Sequence, residues 1–328
     1  MIKVQKVRFI LATSLSLLAL AAVGILFAQI FPLRVYELKT DLEFWARGVQ
    51  SVHWKEQGLQ GYAVNRCAPV SKGADPRQVQ GCSCIALIHG LGDEAKTWKN
   101  ILLVSEEDWK KWGIMDQMKI FAFDLPGSGQ SAQPTDPSEY QVRKLARRIQ
   151  SVLSENCSHW LVVGNSMGGS IASWLALDWP QGVSRLLLLA PAGLKSMRSL
   201  HAVSLLTQPS VESLKEFQQR AYAHPSPVSD LAWQQILKQI QASHVSEMVQ
   251  AQTSEDDLDS KLSQIKAPVM ILWGKADQII PLSFGFEFRD QMRGVIWREI
   301  TDCGHLPQKE CPLVVMKSII DMIRFGAI

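Results

Sequence analysis

The chain has no internal repeat and no low-complexity tract, which excludes a solenoid and a disordered array. It also lacks a charge excess where one would matter. The formal net charge is +3, but Lys3, Lys6, Arg8 and Arg34 supply basic groups to a leading stretch with no acid before Glu37. The remaining body is close to neutral, so nothing marks a nucleic-acid surface. No cysteine or histidine spacing matches a zinc ligand pattern, so no metal site is read here. Finally, there is no charged residue between Phe9 and Phe31.

That last absence points to a targeting segment at residues 1–33. A bilayer core needs about 20 apolar residues in a helix, and a basic flank precedes this run. Ala19-Leu20-Ala21 has the small-x-small form of a signal-peptide cleavage site. Cleavage there would leave Val23-Gly24-Ile25-Leu26-Phe27 as a greasy new terminus, so an uncleaved signal anchor is the preferred reading. The catalytic body is then expected on the exported, periplasmic or lumenal side. Secretion after cleavage is the alternative. Six cysteines suit an exported protein. Cys67 is expected to pair with Cys82 or Cys84, and Cys303 with Cys311. Asn156-Cys157-Ser158 is a glycosylation sequon.

Six apolar runs stand out: Cys84–Ile88, Ile120–Phe123, His159–Val163, Leu186–Ala190, Val269–Trp273 and Val295–Ile300. Continuous runs of this length read as strands covered on both faces, as in a parallel sheet. An earlier hairpin is expected around Val52–Trp54 and Gly61–Asn65, after a lead-in helix. Between the runs lie helix patterns. In Glu139–Glu155, apolar residues recur at Val142, Leu145, Ile149 and Leu153, and Pro312–Ile323 is another such segment. Alternating strands and helices predict a doubly wound α/β fold with function at the carboxyl ends of the strands. Residues 193–266 break the alternation with polar helices, and they read as a helical cap between core parts 34–192 and 267–328. Trp233, Ile236, Leu237 and Ile240 make one apolar face there, which either packs within the cap or lines an acyl groove.

Gly164-Asn165-Ser166-Met167-Gly168 lies between an apolar run and a helix-like run. Strand, tight turn and helix with serine at the apex form the G-x-S-x-G elbow. A serine needs a base, and histidine is the usual one. Of seven histidines, His305 follows the last apolar run in a glycine-containing loop. The base needs an orienting acid. Asp277 directly follows the Val269–Trp273 run, whereas Asp302 sits too near His305 and reads as loop-shaping. Asp256, Asp257 and Asp259 read as solvated. Oxyanion donors are expected at the backbone N–H groups of Met167 and of Leu91, in His89-Gly90-Leu91-Gly92. His89 reads as a loop-shaping residue.

These motifs, with Asp124-Leu125-Pro126-Gly127-Ser128-Gly129, occur in the order of the α/β-hydrolase superfamily. Asn165–Gly169, Ala190-Pro191-Ala192-Gly193-Leu194 and Cys303-Gly304-His305, behind an N-terminal apolar segment, resemble the membrane-anchored monoacylglycerol lipase and bacterial lipase branch. The resemblance implies an α/β-hydrolase fold with a helical cap, no cofactor, and small-molecule carboxylic-ester substrates with a fatty acyl chain; a monomer is expected. The loop between Cys67 and Cys82 departs from that pattern. Dehalogenases and epoxide hydrolases need aspartate where Ser166 stands. Carbon–carbon bond hydrolases, haloperoxidases and acyltransferases share the triad and stay open. A non-catalytic scaffold is the other class, but such proteins usually lose a triad member.

Overall fold

The computed structural model describes residues 29–67, 82–114 and 117–325. The apolar segment Phe9–Phe31, with its Ala19-Leu20-Ala21 motif, therefore lies outside the described residues apart from its last three. Among the described residues no helix is long and apolar enough to cross a membrane.

Eight strands form one sheet: β1 (Gln50–Trp54), β2 (Leu59–Asn65), β3 (Cys82–Ile88), β4 (Gln117–Asp124), β5 (Trp160–Asn165), β6 (Val183–Leu189), β7 (Val269–Gly274) and β8 (Ile296–Ile300). Their order is β1-β2-β4-β3-β5-β6-β7-β8. β1 and β2 pair antiparallel, as do β2 and β4, and every later pair is parallel. The sheet is thus the mostly parallel one read from the apolar runs.

The reason lies in the alternation of side chains across a strand. Ile85 and Leu87 of β3 join one apolar layer, Ala86 and Ile88 the other. The first layer is completed by Val315, Met316, Ile319 and Ile320 of the helix Pro312–Arg324. The second is completed by the helices Val142–Ser154 and Met167–Asp178, through Leu145, Ile149, Ile171 and Leu175. Both faces are dry, so both sets of side chains must be apolar and the strand shows no polar alternation. Edge strand β8 is only partly buried and accordingly keeps Arg298 and Glu299.

Register sets the functional end of the sheet. Ile88 pairs with Gly164, Asn165 with Leu189, and Leu189 with Leu272. The loops that leave β3, β5 and β7 therefore start side by side.

Between β6 and β7 the described chain is helical, with helices His201–Thr207, Val211–Ala221, Asp230–Ala242 and Val245–Gln250. Trp233, Leu206, Leu214 and Val245 form a small core of their own, with Ile236, Leu237 and Ile240 packed against it. The helix Pro32–Ala46 hooks onto this region: Gln235 Nε2 donates to the Ile30 carbonyl at 2.8 Å, and Gln239 Nε2 to Glu37 Oε1 at 3.2 Å.

All six cysteines are paired, as Cys67–Cys82, Cys84–Cys157 and Cys303–Cys311. Of the two partners expected for Cys67, Cys82 is the one found. The expectation had no place for Cys84–Cys157. It follows from parallel pairing of β3 and β5, which sets Cys84 opposite Trp160 and brings Cys157, three residues ahead of β5, within reach. The Asn156 side chain of the sequon donates to the Val152 carbonyl at 2.8 Å.

One expectation about the acids is corrected. Asp256 is buried, not solvated: its carboxylate accepts from the backbone N–H groups of Thr253 and Arg143. Asp257 pairs with Arg198 at 2.8 Å, and Asp259 accepts from the Lys195 N–H at 2.8 Å. Charged cap residues of this kind are held by backbone donors or a side-chain cation that a sequence does not display.

Candidate active site

Ser166 stands at the N-cap of the helix Met167–Asp178 with φ 54° and ψ −121°. For a non-glycine residue this conformation costs about 1–3 kcal/mol and persists only where surroundings enforce it. They do so here. A Cβ at Gly164 would lie 2.2 Å from the Gly168 carbonyl oxygen, and one at Gly168 would lie 2.3 Å from that of Ile88. Only glycine lets the elbow close this tightly against its helix and against the end of β3. The serine side chain is partly exposed to the space above.

Asp277 and His305 come from the loops after β7 and β8. His305 Nδ1 lies 2.7 Å from Asp277 Oδ2, and both side chains are buried. The other carboxylate oxygen, Oδ1, accepts from the Ile279 and Ile280 N–H groups, each at 2.9 Å. Two backbone donors thus lock the carboxylate, and the carboxylate locks the ring. The His305 N–H donates to the Ala221 carbonyl at 2.7 Å, at the end of a cap helix. His305 and Ser166 line one cavity of about 520 Å³.

Leu91 and Met167 border the same cavity. Among the described residues neither backbone N–H has a protein acceptor. A Cβ on Gly90 would come 3.0 Å from Ser166 Cβ, so this loop passes directly beside the elbow. His89 is fully buried, with Nδ1 2.7 Å from the Gly90 carbonyl and Nε2 accepting from the Leu125 N–H at 3.0 Å. Burial pushes its pKa below the usual histidine value, so it is neutral and shapes the loop. Asp302 is exposed at φ 53° in the turn before His305.

Sequence reasoning missed a polar hub beneath the serine. Asn165 Nδ2 donates to the Leu189 and His305 carbonyls, both at 3.0 Å. Its Oδ1 accepts from Gln308 Nε2 at 3.0 Å, and that amide also faces Thr97 Oγ1 at 3.3 Å. A buried amide with its donors and acceptor used holds the elbow and the histidine loop in one frame. Asn165 could have been suspected from its place beside Ser166, but nothing marks Gln308.

The rest of the cavity wall is largely apolar, including Leu200, Val203, Leu206, Phe217 and Val228. The apolar face of Asp230–Ala242 serves both roles considered for it. Trp233, Ile236 and Ile240 pack within the cap and line the cavity, whereas Leu237 only packs. Two cations line the cavity, Arg198 and Lys309, and each faces a carboxylate that lines it too, Asp257 and Asp93. Among the described residues one His/Cys/Asp/Glu group is compact enough for a metal ion, Cys303, Glu310 and Cys311, and its sulfurs are joined in a disulfide.

A strained serine at a strand-to-helix elbow, sharing a cavity under a helical cap with a carboxylate-held histidine, defines a hydrolase of the α/β type. The profile of the Alpha/beta hydrolase family matches residues 85–317, and the chain belongs to that family. A curated relative is the 2-hydroxy-6-oxononadienedioate/2-hydroxy-6-oxononatrienedioate hydrolase of Escherichia coli O81 (strain ED1a). It is 25% identical over 248 residues, which cover 70% of this chain and 83% of the relative. Among solved structures, a bacterial membrane phospholipase A superposes with a TM-score of 0.68 at 22% identity, covering 97% of this chain and 99% of that one. The meta-cleavage product hydrolase of Pseudomonas fluorescens IP01 gives 0.65 at 16% identity, covering 84% and 98%. At these identities the structural likeness speaks for the fold.

Proposed function

We propose that this protein is a serine hydrolase that cleaves carboxylic esters carrying an apolar acyl chain. The observation behind the proposal is the 2.7 Å Asp277–His305 contact in a cavity shared with Ser166 and otherwise walled mostly by cap side chains. In this reading His305 Nε2 takes the Ser166 proton as Oγ attacks the ester carbonyl. The oxyanion settles on the N–H groups of Leu91 and Met167. His305 then returns the proton to the departing alcohol, leaving an acyl-enzyme. Water, deprotonated by the same ring, releases the carboxylic acid. Asp277 keeps the Nδ1 proton in place and stabilises the imidazolium.

Carbon–carbon bond hydrolysis is the second reading, favoured by the name of the E. coli relative. That relative's substrates are dicarboxylates by name. Here both cavity cations are already matched by carboxylates, and Asp256 adds a third acid to the wall. An unpaired cation for a dianion is missing from the described lining, which favours a neutral acyl chain.

The test is a panel of p-nitrophenyl esters and monoacylglycerols, beside a dienedioate ring-cleavage product, with wild type and Ser166→Ala. Ester turnover and fluorophosphonate labelling that disappear in Ser166→Ala support the proposal. Labelling that survives removes Ser166 from its role, and turnover of the dienedioate alone selects the second reading.

The same proposal places the body at a membrane on the exported side. Support comes from the uncharged run Phe9–Phe31, its continuation into the exposed apolar residues Tyr36, Leu38, Leu42 and Trp45, and three disulfides. Deleting residues 1–31 is expected to move activity from the membrane to the soluble fraction. Sustained membrane association would overturn the assignment of this segment as the anchor.

A further inference from the structure

The ion pair between Lys309 and Asp93 has no part in the mechanism above, yet it lies in the cavity wall. Lys309 Nζ is 3.0 Å from Asp93 Oδ1. Asp93 belongs to the turn that presents Leu91: its N–H donates to the Gly90 carbonyl at 3.3 Å, and its Oδ1 accepts from the Glu94 N–H at 3.0 Å. The carboxylate therefore helps build the turn. Its charge is a different matter. It sits two residues from the N–H group assigned to the forming oxyanion, and its side chain is only 16% exposed. A poorly hydrated negative charge beside a site that must stabilise another negative charge opposes the reaction.

His89, which also bears on Asp93, is buried and neutral. The counter-charge falls to Lys309. Burial acts most strongly on the Lys309 ammonium and works against it, but the groups around it, the Asp93 carboxylate foremost, together hold the pKa above the usual lysine value. Burial likewise acts most strongly on Asp93 and raises its pKa, and the groups around it, Lys309 foremost, more than reverse this. The pair is thus ionised on both sides throughout the neutral range. The phenol of Tyr222 also bears on Lys309; burial pushes its own pKa up, so it is uncharged in the neutral range.

We infer that Lys309 is a positioning residue for the oxyanion site: it cancels the charge of Asp93, so that the turn can keep its carboxylate without repelling the developing oxyanion at Leu91 and Met167. This inference rests on the serine-hydrolase reading. It assigns a role to a residue four positions beyond His305, on the short helix Pro307–Glu310. The role falls here because the segment that follows the histidine is the one that meets the Leu91 turn, through the Lys309–Asp93 pair.

The test uses the full chain and p-nitrophenyl butyrate, with Lys309→Met, Lys309→Arg, Asp93→Asn and the double variant Asp93→Asn/Lys309→Met. Lys309→Met is expected to lose about 10- to 100-fold in kcat with KM within about twofold, less than the roughly 10²–10³ for outright loss of a donor. Lys309→Arg keeps the charge and is expected to stay within about threefold of wild type. Removing the carboxylate as well is expected to restore at least half of the lost logarithm, because no charge then needs cancelling. A merely structural ion pair would lower the melting temperature of Lys309→Met without this rescue. Wild-type kcat in Lys309→Met, or a double variant no faster than Lys309→Met, overturns the inference. Turnover that persists in Ser166→Ala under the same assay overturns the serine-hydrolase reading instead, so the two failures are told apart.

Discussion

Replacing Asp277 by asparagine probes the site with an almost isosteric change, and the structure dictates how the new amide must sit. Oδ1 of Asp277 accepts two backbone N–H groups, from Ile279 and Ile280, at 2.9 Å each. An NH₂ group in that position would face two donors, so the amide oxygen must occupy it. The NH₂ group then falls where Oδ2 stood, 2.7 Å from His305 Nδ1. To accept from it, Nδ1 must give up its proton, which moves to Nε2. A ring protonated at Nε2 cannot take the Ser166 proton. The same tautomer reversal in a serine protease triad drops kcat by about 10⁴. At about 1.36 kcal/mol per decade, that is about 5.4 kcal/mol of barrier.

The assay is p-nitrophenyl butyrate turnover, read beside a circular-dichroism melt. The melt is expected to stay near that of wild type, because shape and packing are kept. A variant that retains kcat within tenfold of wild type, while Ser166→Ala is inactive, would refute the assignment of Asp277 as the residue that orients His305.

Three further outcomes are expected. Gly168→Ala puts a Cβ 2.3 Å from the Ile88 carbonyl oxygen and 2.5 Å from that of His89, both backbone atoms. Overpacking of this kind costs about 1–3 kcal/mol or more, so the melt should fall by several degrees and kcat with it, and an unchanged melt would contradict the close approach. Glu94 has its pKa raised from 4.5 to about 7, by burial first and by the Asp124 carboxylate second. The native state therefore holds this proton up to about pH 7 while the unfolded chain releases it near 4.5, so stability is lost as pH rises between the two. Glu94→Gln is expected to be more stable than wild type at pH 8, by at most about 3 kcal/mol, and equally stable at pH 4; the same difference at both pH values would contradict this. Ile240→Trp narrows the cavity from the cap side. It should lower kcat/KM for long-chain p-nitrophenyl esters at least about tenfold relative to the butyrate, and an unaltered chain-length profile would place the acyl chain elsewhere.

Much of the fold was legible because a parallel sheet leaves a strong mark. Strands such as β3 and β5, dry on both faces, must be apolar throughout, and the runs Cys84–Ile88 and His159–Val163 overlap them closely. The edges were less legible. Gln117, Met118 and Lys119 of β4 lie ahead of its apolar run, because pairing with β2 and β3 holds the backbone there without demanding apolar side chains on both sides. The pairing of Cys84 with Cys157 was hidden for a related reason. It depends on which strands are neighbours, and strand order is not written in any local pattern.

The candidate site divides in the same way. Residue type and chain order alone singled out Ser166, Asp277 and His305, because a strained elbow needs glycines around its serine and the chemistry of a base and its acid restricts the choice of side chain. Contact between elements decided the rest. The Asn165–Gln308 hub, the hold of Ala221 on His305 and the match of Lys309 to Asp93 all join residues distant in sequence. A local pattern records what a residue must be for its own turn or strand. Which partner satisfies a buried polar group depends on the folded arrangement of the whole chain, and only the tertiary structure could supply that.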